Sequence, residues 1–265
     1  MEHSAGSSRM RTRIIGQEFI ELATVDSTNK YAAELLAERK AAHGTVILAH
    51  EQTVGRGQRG RIWRTAPRLD IATSVVLLPI GLVAHKQFVL SKIAALAVHD
   101  VVAEAMLVSV GRSADRVRIK WPNDVLVDRR KVAGILISNE VVGGQVTSSV
   151  LGIGINVNSS DLDADFNATS LRMETGIELD RMRIVEHLCQ RLEHWLDIYS
   201  SGPQLITLKY TELLWHKGRF TDFELDGLPF SARPMDVDPE GRLMVEDENG
   251  AVKAYGLERL RFGSR

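Results

Sequence analysis

The stretch from residue 132 to 157 constrains the fold more than any other part of the chain. Two extended apolar runs, residues 132–142 and 145–157, meet at Gly143-Gly144, a pair free to take the positive φ of a tight hairpin turn. In the second run Leu151, Ile153 and Ile155 share one parity, while Gly152, Gly154 and Asn156 share the other. Successive residues of a strand face opposite sides, so one face is bare as far as Asn156. Such a face admits either a flat ligand or a closely packed helix, and the segment alone leaves both open.

Around this hairpin the pattern predicts a mixed α+β fold. Residues 18–22 read as a strand. Asp26 or Ser27 can then cap a helix running to about Arg39, with Tyr31, Leu35 and Leu36 as its apolar stripe. Residues 45–50 and 71–78 are nearly all apolar and read as buried strands. Residues 85–107 carry the longest helical pattern. The period then falls to two, with Val117 and Ile119 alternating with Arg116 and Arg118. Residues 124–128 continue extended, Lys131 opens the next strand, and residues 158–168 are polar and loop-like. Helices follow over 183–200 and 203–215.

From residue 218 the texture changes to short alternating segments divided by Asp226-Gly227, Pro239-Glu240-Gly241 and Asn249-Gly250. A β module of about 48 residues is too small to be very stable alone and should pack on the larger part. The expected organisation is a disordered polar tail over 1–12, an α+β domain over 13–217 and the β module over 218–265.

Bulk properties exclude several classes. A net charge of −1 gives no global pull toward nucleic acid or an anionic membrane. No apolar run approaches the ~18–20 residues needed to span a bilayer, and the opening MEHSAGSSRM has no hydrophobic stretch of a secretory signal. The single cysteine, Cys189, rules out an internal disulfide and multi-cysteine zinc sites. These features favour the cytoplasm. Cys189 lies in HLCQRLEHWL and reads as a small apolar side chain of a helix. The eight histidines show no metal spacing, and no nucleophile–histidine arrangement is visible.

Three segments carry chemistry. In residues 55–61, GRGQRGR, three glycines and three arginines are interspersed. Glycines allow close backbone approach, consecutive N–H groups can form an anion nest, and arginines bind carboxylate or phosphate bidentately. The run lacks the Gly-Lys-Ser/Thr ending of a phosphate loop and the following helix of a dinucleotide fingerprint, and a solvated basic loop stays open beside the anion site. The second segment is Lys120-Trp121-Pro122-Asn123-Asp124, with Lys131-Val132-Ala133-Gly134 a few residues on. Pro122 implies a bend or bulge between strands. The third is the bare-faced strand, LGIGINVN.

In this order and spacing GRGQRGRIW, KWPNDVLV with KVAGIL, and GIGINVN resemble the biotin–protein ligases. The likeness covers nearly the whole chain after its first dozen residues. It includes Asp26-Ser27-Thr28-Asn29 and the closing GRLMVEDENGAVKAYGLERLRF. It implies a class II synthetase-like, mixed-sheet catalytic domain flanked by helices, followed by a small SH3-like β-barrel. It also implies an ATP- and Mg2+-dependent enzyme that forms biotinyl-5'-AMP. The enzyme then passes biotin to a lysine of a biotin carboxyl carrier domain. Residue by residue, it implies that Ser27, Thr28, Asn29, Gln52, Gly55, Arg56, Gly57, Gln58, Lys131 and Gly134 hold biotin. Arg59, Arg61, Trp63, Asn123, Asp124 and Asn156 surround the nucleotide. Lys131 and Arg56 are the catalytic pair, and no metal site is made by protein ligands alone.

Three features depart from that pattern. Gln58 stands where many members have arginine. The loop between Asn158 and Ala168 is short and lacks the tryptophan some members place there, leaving Phe166 to pack on adenine. The roughly 25 residues before Asp26 are too few for a helix-turn-helix, so no DNA partner is expected, and no membrane partner either. Monomer and homodimer are both compatible with the family. The alternatives are a lipoate–protein ligase, which requires a different glycine-rich head-group loop, a non-catalytic biotin-binding regulator, and a nucleic-acid binder using residues 56–64 as a basic arm.

Overall fold

The computed structural model describes residues 10–79, 81–111, 114–162 and 167–263. Phe166, the expected adenine partner, lies outside them. The chain forms a seven-stranded mixed sheet from β1 (Phe19–Leu22), β2 (Val46–Ala49), β3 (Ile71–Leu77), β4 (Val117–Lys120), β5 (Asp124–Val127), β6 (Arg130–Val142) and β7 (Gln145–Ile155). Their spatial order is β1-β2-β3-β7-β6-β5-β4, with β1 parallel to β2 and every other pair antiparallel. The expected hairpin is β6–β7, turning at Gly143 (φ 59°) and Gly144 (φ 79°).

One face of the sheet packs on α2 (Phe88–Val110) and α4 (Arg181–Ser201). Helix α2 is apolar nearly all round because most of its length, from Leu90 to Met106, is enclosed by the sheet and neighbouring helices, and only its last turn exposes Leu107 and Val108. It ends where Gly111 turns left-handed (φ 61°) and donates to Leu107 O at 2.9 Å. It therefore runs three residues beyond the expected end. Helix α4 begins earlier than expected, since Asp180 caps it by accepting from Met182 and Arg183. Helix α1 (Thr28–Ala37) covers part of the other face through a small cluster of Ala32, Ile47, Val76 and Val150. A five-residue helix, α3 (Leu171–Thr175), was not foreseen. Ser170 caps it, accepting from Met173 N at 3.1 Å.

Helix α5 (Pro203–Glu212) stops before the expected Trp215 because the next residues turn to pair with the sheet. Ile119 donates to Leu213 O at 3.0 Å, and Trp215 donates to Ile119 O at 2.8 Å. Edge strand β4 is thereby partly covered. The C-terminal part is an antiparallel five-stranded sheet of β8 (Thr221–Leu225), β9 (Leu228–Val237), β10 (Leu243–Asp247), β11 (Val252–Tyr255) and β12 (Leu260–Phe262), in the order β11-β10-β9-β8-β12. This matches the expected SH3-like module.

Its core is continuous with that of the larger part, since Phe223, Val237, Leu243 and Leu260 join the cluster containing Leu90, Ile206 and Tyr210. At the other end, Met10 is buried in this core and its carbonyl accepts from Gln17 Nε2 at 3.2 Å. Residues 10–12, expected as tail, therefore lie against the fold, because Met10 is apolar enough to join it. No helix among the described residues is long and apolar enough to cross a membrane.

Candidate active site

The bare face of β7 becomes the floor of a cavity. The register aligns small residues across three strands: Ala72, Gly154 and Gly134 form one row, and Ser74, Gly152 and Leu136 the next. The first row continues through Asp124 to Lys120, so a small apolar floor runs directly into charged residues. Side chains lie on the glycines, from the first turn of α1 at Gly152 and from the 55–63 segment at Gly134 and Gly154. A Cβ on Gly152 would overlap the Asn29 amide, one on Gly154 would overlap the Trp63 indole, and one on Gly134 would stand 2.9 Å from the Trp63 ring. Gly152 and Gly154 line the cavity as the expected bare face, whereas Ala72 and Thr73, also on the lining, are not expected from the sequence. The small Ala72 and Ser74 on one parity of IATSVV were the available signal for this floor.

At one end the lining is neutral and polar. Ser27, Thr28 and Asn29 lie at the start of α1, and Gln52 follows β2. Neither Asp26 nor Ser27 caps the helix through its side chain, contrary to the sequence expectation. Gln52 Oε1 instead accepts from Thr28 N at 2.9 Å, filling the capping role from another segment. Ser27 is buried at the cavity wall, while Asp26 takes Ser27 N and Lys30 Nζ at 2.7 and 2.6 Å. Asn29 donates to Leu136 O at 3.0 Å, and its Oδ1 lies 2.6 Å from the Ser74 hydroxyl. These bonds hold the polar end rigid.

The other end is charged. Lys131 Nζ lies 2.6 Å from Asp124 Oδ1, approaching off the line of a good hydrogen bond, and 5.1 Å from the centre of the Trp63 ring. Trp63 Nε1 is buried without a hydrogen-bond partner. Asn123 Nδ2 donates to Ile135 O at 2.8 Å, fixing the β4–β5 turn beside the site. Burial, partly offset by Asp124, lowers the Lys120 ammonium below its usual range, as do the neighbouring Lys131 and Arg61.

The Gly/Arg segment folds as a small hairpin beside this end. Arg56 bridges Ile62, Gly57 N donates to Arg61 O at 2.6 Å, and Trp63 N donates to Gly55 O at 3.0 Å. The amides of Gly57, Arg61 and Trp63 are committed within the hairpin, so the expected open nest is partly closed. Gly55 is required where a Cβ would collide with Trp63 O. Arg59 takes φ 58° and Gly60 φ 75° at the tip.

The structure thus brings Arg56, Gly57, Gln58, Trp63, Asn123, Lys131 and Gly134 to the cavity with the polar group. It does not bring Gly55, Arg59, Arg61, Asp124 or Asn156 to the wall. Arg59 and Arg61 are exposed, and Asp124 stands behind Lys131. Asn156 is buried with its amide donated to Thr169 O at 3.0 Å. Among the described residues no cluster of three His, Cys, Asp or Glu can hold a metal. Cys189 is buried in α4, its thiol pushed up to about 12, and is no nucleophile at neutral pH.

A floor for a flat ligand, a neutral polar end and a cationic end define an anion-activating ligand site, and residues 21–156 match the model of the biotin/lipoate A/B protein ligase family. The chain belongs to that family. It is 32% identical over 244 residues to the biotin–[acetyl-CoA-carboxylase] ligase of Mycobacterium tuberculosis, covering 89% of this chain and 88% of the relative. It is also 32% identical over 259 residues to the bifunctional ligase/repressor BirA of Bacillus spizizenii, covering 94% and 75%. The biotin protein ligase of Aquifex aeolicus, solved with biotin and ATP, superposes with a TM-score of 0.72 at 25% identity. That match covers 93% of this chain and all of the Aquifex chain.

Proposed function

We propose that this protein is an ATP-dependent biotin–protein ligase. The observation that carries the reading is the polarity of the cavity: neutral hydrogen-bonding groups at one end, Lys131 with Asp124 at the other, glycines between. Biotin has a matching form, a neutral ureido ring joined by an alkyl chain to a carboxylate. Lipoate carries a dithiolane with no group to pair with Ser27, Thr28, Asn29 and Gln52, and buried polar groups left unpaired penalise such a ligand. The relatives named as biotin ligases and the Aquifex complex with biotin and ATP support the same substrates.

The biotin carboxylate attacks the α-phosphorus of ATP, the α–β anhydride bond breaks and pyrophosphate leaves, a step that brings two anions together. Lys131 exchanges Asp124 for these anions, and Arg56 meets them from the hairpin, so both cations stabilise the charge of the transition state. Magnesium fits a site in which Asp124 is one carboxylate and the nucleotide phosphates supply further ligands; it would neutralise phosphate charge. Trp63, on the floor beside Lys131, offers a ring to the adenine. The product is a mixed anhydride that water destroys, and the 55–63 hairpin is placed to cover it. The acceptor lysine attacks the acyl carbon, its bond to the phosphate oxygen breaks, and AMP leaves. No enzyme nucleophile is needed. The acceptor is a biotin carboxyl carrier domain, and the reaction is cytoplasmic.

Lys131→Ala tests this. Pyrophosphate release and the mass shift of an acceptor domain, followed with biotin or lipoate and Mg-ATP, should both vanish while circular dichroism stays native. Near-normal release by the variant removes Lys131 from the mechanism. Labelling with lipoate but not biotin overturns the substrate assignment.

A further inference from the structure

Glu174 is a buried carboxylate that the mechanism above leaves unused. Its side chain is 1% exposed, on the short helix α3. Arg130 reaches its Oε1 at 2.5 Å, Thr169 Oγ1 donates to the same oxygen at 2.8 Å, and Arg116 reaches Oε2 at 3.4 Å. These partners are not scattered. Arg130 immediately precedes Lys131 on β6, and successive strand residues face opposite sides, so Arg130 turns to Glu174 as Lys131 turns to the cavity. Thr169 belongs to an arm that pairs with Lys131 itself: Lys131 N donates to Asn167 O at 2.9 Å, and Thr169 N donates to Lys131 O at 2.8 Å. Asn156 ties the same arm to the end of β7. Lys131 is therefore flanked by two groups that converge on one carboxylate, the Arg130 side chain before it and Thr169 on its carbonyl, while Asn167 holds its N–H.

We propose that Glu174 is a positioning residue for Lys131, setting the ATP-dependent step without taking part in biotin capture. The proposal rests on the reading of Lys131 as the group that meets the reacting anions. A buried acid at this place does two things. It compensates Arg130 and, beside Asp128, adds a second partner for Arg116. It also fixes the arm, and thereby the direction in which the Lys131 stem leaves β6. Displacing a catalytic group by about 1 Å can cost on the order of a hundred-fold in rate. The Ser27, Thr28 and Gln52 end has no bond to this network among those described.

The test is Glu174→Gln, which keeps the shape and removes the charge. Biotin affinity without ATP, which also draws on Ser27, Thr28 and Gln52, should fall by less than kcat. The kcat for ATP–pyrophosphate exchange should fall on the order of ten-fold or more. Amide exchange should rise over residues 129–132 and 167–170 but not over 28–36. Lys131→Gln is measured beside it. If Lys131→Gln retains exchange, the underlying reading fails, whatever Glu174 does. If Lys131→Gln abolishes exchange while Glu174→Gln has wild-type kcat, the proposal alone is overturned. It is overturned equally if biotin affinity falls as far as kcat. Should Glu174→Gln fail to fold, Thr169→Val and Arg130→Gln each remove one arm of the network. Each should lower kcat more than biotin affinity, and wild-type kcat in both sinks the proposal.

Discussion

At the scale of single residues, the site depends on what is missing as much as on what is present. Gly154 has ordinary extended backbone, yet a methyl group there would overlap the Trp63 indole. Gly154→Ala should therefore fold, since Trp63 sits on a surface hairpin and can be displaced. Adenylation should drop on the order of ten-fold or more as the hairpin shifts. Wild-type pyrophosphate release with an unchanged melting temperature would show that the indole moves without consequence. Gln58 lines the cavity as a neutral side chain. Gln58→Arg adds a guanidinium near the expected phosphate, and a sheltered charge-assisted hydrogen bond contributes about 1.5–3 kcal/mol. Biotinyl-adenylate should then dissociate roughly ten-fold more slowly. An unaltered off-rate in stopped-flow would mean that residue 58 points away from the bound adenylate.

At the scale of elements, α1 is completed by a residue outside it. Its first turn contains no acidic residue, Ser27 makes no side-chain cap, and Gln52 accepts from Thr28 N. Gln52→Ala should cost about 1 kcal/mol of stability, as loss of a side-chain cap does. It should also weaken biotin binding, because the same amide lines the polar end. Urea unfolding with and without biotin separates the two effects. A native midpoint together with weakened binding would show that another group satisfies the helix. The KWPND turn is similarly two-sided. Asn123 lines the cavity and Asp124 meets Lys131, while Trp121 Nε1 donates to Gly241 O at 2.9 Å and Lys120 Nζ lies over the rings of Trp215 and Phe262 at 5.2 and 5.3 Å.

At the scale of the molecule, that turn joins the C-terminal module to the site, and it does not act alone. Buried Lys92 donates from α2 to Val237 O at 2.8 Å, and Thr211 Oγ1 donates to Asp236 Oδ1 at 2.5 Å. With one continuous core, removal of residues 218–265 would uncover Lys92, Trp121 and their neighbours, so the shortened chain should lose most of its stability. Trp121→Phe is the finer probe. It keeps an aromatic ring but removes the hydrogen bond to the half-buried Gly241 carbonyl, which costs about 0.5–1.5 kcal/mol. The expected result is a lower melting temperature, reduced adenylation and near-native biotin affinity. Full adenylation at the native melting temperature would show that the module's seating does not govern the site.

The sequence alone determined the elements and the chemistry available to them. Gly143-Gly144 specified the β6–β7 turn, the alternation of LGIGIN specified a bare face, and GRGQRGR and KVAGIL supplied the anion-binding groups. Periodicity and backbone freedom are local, so these were legible without coordinates. Tertiary structure decided register and direction. Only strand pairing could place Ala72, Gly154, Gly134 and Asp124 in one row, and only packing could turn Arg59 and Arg61 outward while Gln58 and Trp63 face the cavity. Asn156 shows the limit clearly. Its parity marks the end of the bare face, but its amide goes to Thr169, a partner brought near by a chain reversal that no local pattern encodes. Hydrogen bonds between distant segments depend on where the whole chain brings them, and that is fixed by burial of the common core.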